Sequence, residues 1–274
     1  MYRLIASDLD GTLLNRNHQV SPTTIELFER LHNQQINFLI ATGRHYQDAS
    51  QIAKQFSFPM YLITSNGARV HSPNGEKIVQ HDVPETAVDD ILRLTQGCTF
   101  YRNLYHDDHW FVEADNDHVL SYTHVSGFSY THTDFSEVTR EGISKMLFIG
   151  DSDELNVLAR VLLERYGQSL SITFSLPTCL EIMGPNVHKG SALQAVLERL
   201  VLTRDQVIAF GDGLNDKEML ELAGTGVVMA NADQRLKSLL PDHPQTLNHD
   251  RDGVAAYLAK IDFSAKPHDV LTNT

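Results

Sequence analysis

Short apolar runs alternate with amphipathic stretches over the first third of the chain. Tyr2-Arg3-Leu4-Ile5-Ala6-Ser7 reads as a buried strand that ends where Gly11 breaks it. Ser21-Pro22 predicts a helix N-cap with proline at the first helical position, and Leu27, Phe28 and Leu31 supply that helix's apolar face. Residues 36–41 form a second strand ending in Thr42-Gly43-Arg44. Ala49, Ile52, Ala53 and Phe56 then recur at helical spacing. A third strand, 59–63, ends in Thr64-Ser65-Asn66-Gly67. Strands that alternate with helices imply a parallel sheet.

From residue 83 the rhythm changes. A helix over 85–96 is followed by a hairpin, 100–105 and 110–113, turning through His106-Asp107-Asp108-His109. A strand at 143–149 leads into a helix carrying Leu155, Leu158, Ala159, Leu162 and Leu163, and 171–175 with 179–183 make a second hairpin around Pro177. Helices mixed with hairpins indicate an α+β module on an antiparallel sheet. With Gly184-Pro185-Asn186 as the return linker, the expected division is a core of 1–82 plus 188–274 and an insert of 83–187. After the insert, His188-Lys189-Gly190 introduces a helix with Ala192, Leu193, Val196, Leu197 and Leu200 on one face. A strand at 206–210 runs into Gly211-Asp212-Gly213-Leu214-Asn215-Asp216, a helix follows over 215–223, and a last parallel strand covers 226–230. The tail from Pro241 reads as irregular, with a short helix near 254–260.

Composition narrows the partners. The apolar fraction of 42% and charged fraction of 21% are those of an ordinary globular protein. A net charge of −13 argues against nucleic acid or an anionic membrane, and it requires a locally positive site if the substrate is an anion. Cys98 and Cys179 make no disulfide framework. No apolar run approaches spanning length and the chain enters a strand at once, so the expected location is the cytoplasm. Oligomeric state stays open.

The candidate chemistry lies at the strand ends. In a parallel sheet the carboxyl ends share one edge, where ligands bind. That edge gathers Asp8, Asp10, Thr42, Ser65, Asn66 and Asp212 from distant positions. Each alone could be a cap or turn residue, most readily Thr64, Ser65 and Asp216; their convergence is what points to a site. Two carboxylates as close as Asp8 and Asp10 repel unless a cation, a proton or a positive side chain intervenes. Lys189 stands at the amino end of its helix, the wrong end for the macrodipole but the right place to hold an anion. Trp110 and Phe111 read as strand core, with a pocket wall as the alternative, and His106 with His109 as surface residues rather than a zinc pair.

Taken together and in order, Asp-Leu-Asp-Gly-Thr-Leu-Leu from residue 8, Ala-Thr-Gly-Arg from 41, Lys189 before a helix, and Phe-Gly-Asp-Gly-Leu-Asn-Asp from 210 resemble the haloacid dehalogenase superfamily of phosphohydrolases. The resemblance covers the whole chain, and an insert between the second and third motifs resembles the Cof-type branch. It implies an α/β fold with a Rossmann-like parallel-sheet core and an inserted α+β cap that sets specificity. It also implies a phosphatase in which Asp8 is the nucleophile and Asp10 the acid/base. Thr42, Gly43, Lys189 and Asn215 would bind phosphate, and Asp8, Asp10 and Asp212 would hold Mg2+. Arg44, Asn66 and Asp216 are further candidates, either direct or structural. The implied substrate is a small phosphorylated metabolite, first 4-amino-5-hydroxymethyl-2-methylpyrimidine diphosphate (HMP-PP), then pyridoxal phosphate and sugar phosphates. A phosphotransferase or mutase, and a receiver-like signalling domain, are the other readings of the same residues.

Overall fold

The apolar runs of the first third assemble, with two runs from beyond the insert, into one sheet. The computed structural model describes residues 1–106, 109–115 and 129–263. Its first elements are β1 (Leu4–Ser7), α1 (Pro22–His32), β2 (Asn37–Ala41), α2 (Tyr46–Ala53), β3 (Tyr61–Thr64), β4 (Arg69–His71) and β5 (Lys77–Gln80). The middle supplies α3 (Glu85–Leu94), β6 (Tyr101–His106), β7 (His109–Val112), β8 (Thr131–His132), β9 (Ile143–Ile149), α4 (Ser152–Tyr166), β10 (Ser171–Leu176) and β11 (Cys179–Met183). The last part gives α5 (Lys189–Leu200), β12 (Val207–Gly211), α6 (Lys217–Leu222), β13 (Thr225–Val228), α7 (Gln234–Leu239) and α8 (Gly253–Leu258).

The first sheet has the order β13-β12-β1-β2-β3-β4-β5, and its pairings from β13 to β3 are all parallel. β1 sits in its interior, with Ile5 beside Ile208 on one side and Phe38 on the other. Its four residues are all buried, as a strand covered on both faces requires. Ser21 caps α1 by accepting the Thr24 N–H, with Pro22 inside the first turn. Under α1, Phe28 stacks on Phe38 at 4.4 Å and on Phe56 at 5.5 Å between ring centroids. Burying one such ring contributes about 1.5–3 kcal/mol.

The second sheet, β10-β11-β9-β6-β7-β8, is antiparallel except for the β7–β8 pair, and α3 and α4 pack on it over a core of its own. The chain is therefore a Rossmann-like α/β core with an inserted α+β cap. Four details differ from the sequence reading. The sheet's far edge, β4 and β5, is an antiparallel addition. α2 stops at Ala53, so Phe56 reaches the core from the turn beyond it. Leu163 is exposed on α4, and α7 forms over 234–239, where the sequence reading placed no element. The expected hairpin turn at 107–108 lies outside the described residues, as does the end of the tail, 264–274.

Candidate active site

β1 delivers Asp8 to the sheet edge. The Asp8 N–H still bonds to Phe210 O at 3.0 Å, so the ladder carries the nucleophile candidate one residue past the strand. The chain then turns sharply, with Leu9 O accepting from the N–H groups of Thr12, Leu13 and Leu14. Gly11 makes this turn possible: its φ is +75°, and a Cβ there would lie 2.2 Å from Asp212 Oδ2. Thr12 Oγ1 donates to Asp212 Oδ1 at 2.8 Å, joining this loop to the one after β12.

Lys189 occupies the centre. Its side chain is wholly buried, and Nζ donates to Asp8 Oδ1 and to Asp216 Oδ1, both at 2.6 Å. It is the first residue of α5, whose cap His188 accepts the Ser191 N–H on Nδ1 while Ser191 Oγ accepts the His188 N–H. Asp216 spends its other oxygen on the N–H groups of Asp212 and Gly213, both at 2.9 Å. It thus serves as loop tie and as buried counter-charge at once.

One ammonium cannot neutralise this group. Burial opposes the charge on Lys189, but Asp216 and Asp8 hold its pKa above the ordinary lysine value. Burial likewise drives Asp8 upward; Lys189 pulls it back, and Asp216, Asp212 and Asp10 leave it well above the usual carboxylate range. Asp212 is pushed up to about 7 by burial and then by Asp216. Oxygens of Asp8, Asp212 and Asp216 lie within 4.8 Å of one another. Carboxylates that resist ionising together, with hard oxygen donors at this spacing, fit a divalent cation of the Mg2+ or Ca2+ type.

Asp10 stands apart from those three carboxylates. Arg44 grips it from two sides, Nε to Oδ2 at 2.7 Å and Nη2 to Oδ1 at 2.5 Å, and turns Nη1 to both oxygens of Asp48. His18 Nδ1 lies 3.5 Å from Asp10 Oδ1. Burial works against the charge on Asp10, yet the hydrogen bonds from Arg44 and His18 hold it well below the usual carboxylate range. In this arrangement Asp10 is ionised, and it can take up a proton only once Arg44 lets go. Thr42 orients the same arginine, since its Oγ1 accepts the Arg44 N–H at 3.1 Å.

Above the edge lies a cavity lined by Asp8, Asp10, Thr42, Gly43, Arg44, Asp212 and Asn215 from below, and by Tyr105, Trp110, Lys145, Leu147, Ile149 and Glu181 from the second sheet. Lys189 is set behind Asp8, outside this lining, and so is Asn66. Asn66 instead bridges the two sheets: its Oδ1 accepts from Asn215 at 3.0 Å and its Nδ2 donates to Glu181 at 2.7 Å. Trp110 is both core and cavity wall, with Nε1 donating to Asn103; Phe111 packs on the second sheet's core. His106 and His109 are cross-strand partners at the hairpin's end.

Lys145, Glu181, Asp48 and His18 were missed by the sequence reading. The first two had a signal: each is a lone charge inside an otherwise apolar strand, Ile-Ser-Lys-Met-Leu-Phe-Ile and Cys-Leu-Glu-Ile-Met. Such charges must be paired, and these two are, at 2.8 Å.

The chain is similar to known proteins. A family model described as haloacid dehalogenase-like hydrolase matches residues 5–258. An HMP-PP phosphatase of Serratia proteamaculans is 38% identical over 260 residues, covering 94% of each chain. An HMP-PP phosphatase of Escherichia coli O6:H1 is 35% identical over 270 residues, covering 98% of this chain and 99% of that one. A crystal structure of a haloacid dehalogenase-like hydrolase from Bacteroides thetaiotaomicron superposes with a TM-score of 0.83 at 28% identity, over 96% of this chain and 100% of the other.

Proposed function

The chain belongs to the haloacid dehalogenase-like hydrolases and is a phosphohydrolase, and from that premise we propose a Mg2+-dependent phosphatase that works through an aspartyl phosphate on Asp8. The observation that carries this reading is the buried Lys189 ammonium, 2.6 Å from the Oδ1 of Asp8, which itself lines the cavity. It aligns the carboxylate and offsets part of its charge, and a divalent cation would supply the rest of the positive charge that a phosphate dianion needs against a net charge of −13.

In the first step Asp10, freed from Arg44 and having taken up a proton, donates it to the leaving oxygen as an Asp8 oxygen attacks phosphorus and the bond to that leaving oxygen breaks. In the second, Asp10 takes a proton from water, which attacks the acyl phosphate and restores Asp8 with release of inorganic phosphate. Thr42, the Gly43 backbone and Asn215 line the place where the phosphoryl oxygens would lie. Asp8 and Asp212 would hold the ion; because the Asp10 carboxylate is engaged by Arg44, residue 10 would contribute through its backbone carbonyl rather than its side chain. Mg2+ supplies charge neutralisation on the phosphoryl group.

Residues 1–82 with 188–274 form the catalytic core in this reading, and 83–187 the cap that chooses the leaving group. HMP-PP is the first substrate to test, since the two relatives described above bear that name. The decisive experiment is Asp8→Asn: turnover should vanish while the far-UV circular dichroism is kept, and substrate labelled in its phosphate should mark Asp8 in the unaltered protein. Label on another residue would overturn the assignment.

A further inference from the structure

Glu181 lines the cavity yet does no work in the chemistry above. It sits on β11 opposite Leu147 of β9, with its side chain 4% exposed. One oxygen, Oε2, is fully used: Lys145 Nζ lies 2.8 Å away and Asn66 Nδ2 donates at 2.7 Å. The other, Oε1, has no hydrogen-bond partner among the described residues. It faces the phosphate-binding loop, 3.4 Å from where a Gly43 side chain would begin, so the glycine leaves the approach clear. This oxygen opens on the cavity, and a ligand that displaces water from it must bring a donor of its own or leave the carboxylate unsatisfied.

The surroundings say what kind of ligand. On the second sheet the cavity shares with Glu181 the walls Tyr105, Trp110, Leu147, Ile149, Leu176 and Cys179, with Ser175 and Lys145 as the other polar members there and His45 and Asp48 across from them. Tyr105 and Trp110 are stacked nearly parallel, 12° between planes. Lys145 is already committed, donating to the Gly43 carbonyl at 2.7 Å, pairing with Glu181 and lying 4.6 Å over the Tyr105 ring. A polyol would need a partner for every hydroxyl, and this wall offers few. A flat ring with a single hydrogen-bond donor matches it: apolar faces against apolar walls, one N–H on one open carboxylate oxygen.

We propose that Glu181 reads the leaving group, its Oε1 accepting a hydrogen bond from an amino group on a planar heteroaromatic ring. This rests on the phosphatase reading and adds to it the residue and the chemical group that set specificity.

The test compares kcat/KM for HMP-PP with that for its analogue carrying hydrogen in place of the 4-amino group, in the unaltered protein and in Glu181→Gln. Glucose 6-phosphate and p-nitrophenyl phosphate are measured alongside. The unaltered protein should favour the amino compound by about tenfold or more, and the ratio should fall towards one in Glu181→Gln, whose amide presents a donor where the acceptor was. An unaltered protein that treats the pair alike overturns the proposal without any variant. So does a preference for glucose 6-phosphate, or a Glu181→Gln loss that is uniform across all esters, which would mean that Glu181 only fastens the second sheet to Asn66. Release of phosphate from p-nitrophenyl phosphate scores the underlying reading separately: release without discrimination sinks this proposal alone, whereas no release from any ester sinks both.

Discussion

Asp8 and Asp212 bring more negative charge into one small volume than Lys189 can neutralise, and the imbalance has a pH signature. A carboxyl near 7 in the folded protein, as at Asp212, stays protonated where the unfolded chain has already lost its proton. Below about pH 4 both states are protonated and the group is neutral to stability. As pH rises from there to 7 the unfolded state gains, so the metal-free protein should lose thermal stability across that window and level off above it. Asp10 has the opposite sign: its stabilisation is complete above about pH 4 and is lost only as acid carries it down to its depressed folded value. Because the ion binds ionised carboxylates, apparent Mg2+ affinity should climb by about tenfold per pH unit up to 7. Thermal melts from pH 5 to 8, with chelator and with Mg2+, check both statements. Asp212→Asn should make the metal-free curve shallower, leaving the part that Asp8 contributes, and abolish the Mg2+ response, and melts indifferent to Mg2+ in the unaltered protein would rule out a cation at these carboxylates. Lys189→Met is expected to be costlier still. It strands two buried carboxylates without their cation, a loss of about 3–5 kcal/mol, and should remove activity at every Mg2+ concentration.

At the scale of elements, the turn after β1 is the most sensitive piece of backbone. Gly11→Ala puts a methyl 2.2 Å from Asp212 Oδ2 on a residue whose φ is +75°, so the loop or the carboxylate must move. A shift of about 1 Å in such a site costs on the order of a hundredfold in rate. Turnover should fall by that order while the melting transition stays cooperative; near-normal kcat would show that the two loops are not rigidly coupled. This turn was legible in the sequence because everything that defines it is local: an apolar run, a glycine, and acids where the strand stops. The same held for the Ser21 cap and for Lys189 at the start of its helix. What escaped was non-local or weakly patterned. β4 and β5 are three and four residues long, too short for alternation to show, and exist because β3 offers them an edge. The pairing of Arg44 with Asp10 and Asp48 depends on where α2 sets its first turn, so the aspartates' shared motif could not reveal that they answer to different cations. Lys145 and Glu181 announced themselves as misplaced charges, but their meeting over Gly43 depends on how one sheet settles on another.

At the scale of the whole molecule, polar contacts tie the two sheets, beside a small apolar cluster of Ala68, Met183 and Val187. Lys145 reaches the Gly43 carbonyl, Asn66 reaches Glu181, and Arg69 ties the crossing segments by donating to His81 O, Asp82 and Gly142 O. Where the chain returns, Gly184 passes so close to Asp82 that a Cβ would sit 2.5 Å from its carbonyl oxygen. The insert therefore leaves and re-enters the core at one place, with its own hydrophobic core beyond that crossing. Such a unit can be exchanged as a block: in the proposed mechanism the phosphoryl chemistry belongs to Asp8, Asp10, Lys189 and Asp212 of the core, and the wall facing the leaving group to the second sheet. Replacing 83–187 by the corresponding segment of a sugar-phosphate phosphatase of the same family should carry the donor's preferences across. The Mg2+ requirement and the labelling of Asp8 should stay with the core. Closing the cavity also excludes water, which strengthens every charge interaction at the edge, so deletion of the insert should lower kcat on all esters and erase preference among them. The readout is a panel of phosphorylated metabolites ranked by kcat/KM for the parent, the exchange and the deletion. If the ranking survives exchange, the core alone chooses the substrate, and the second sheet serves only to cover it.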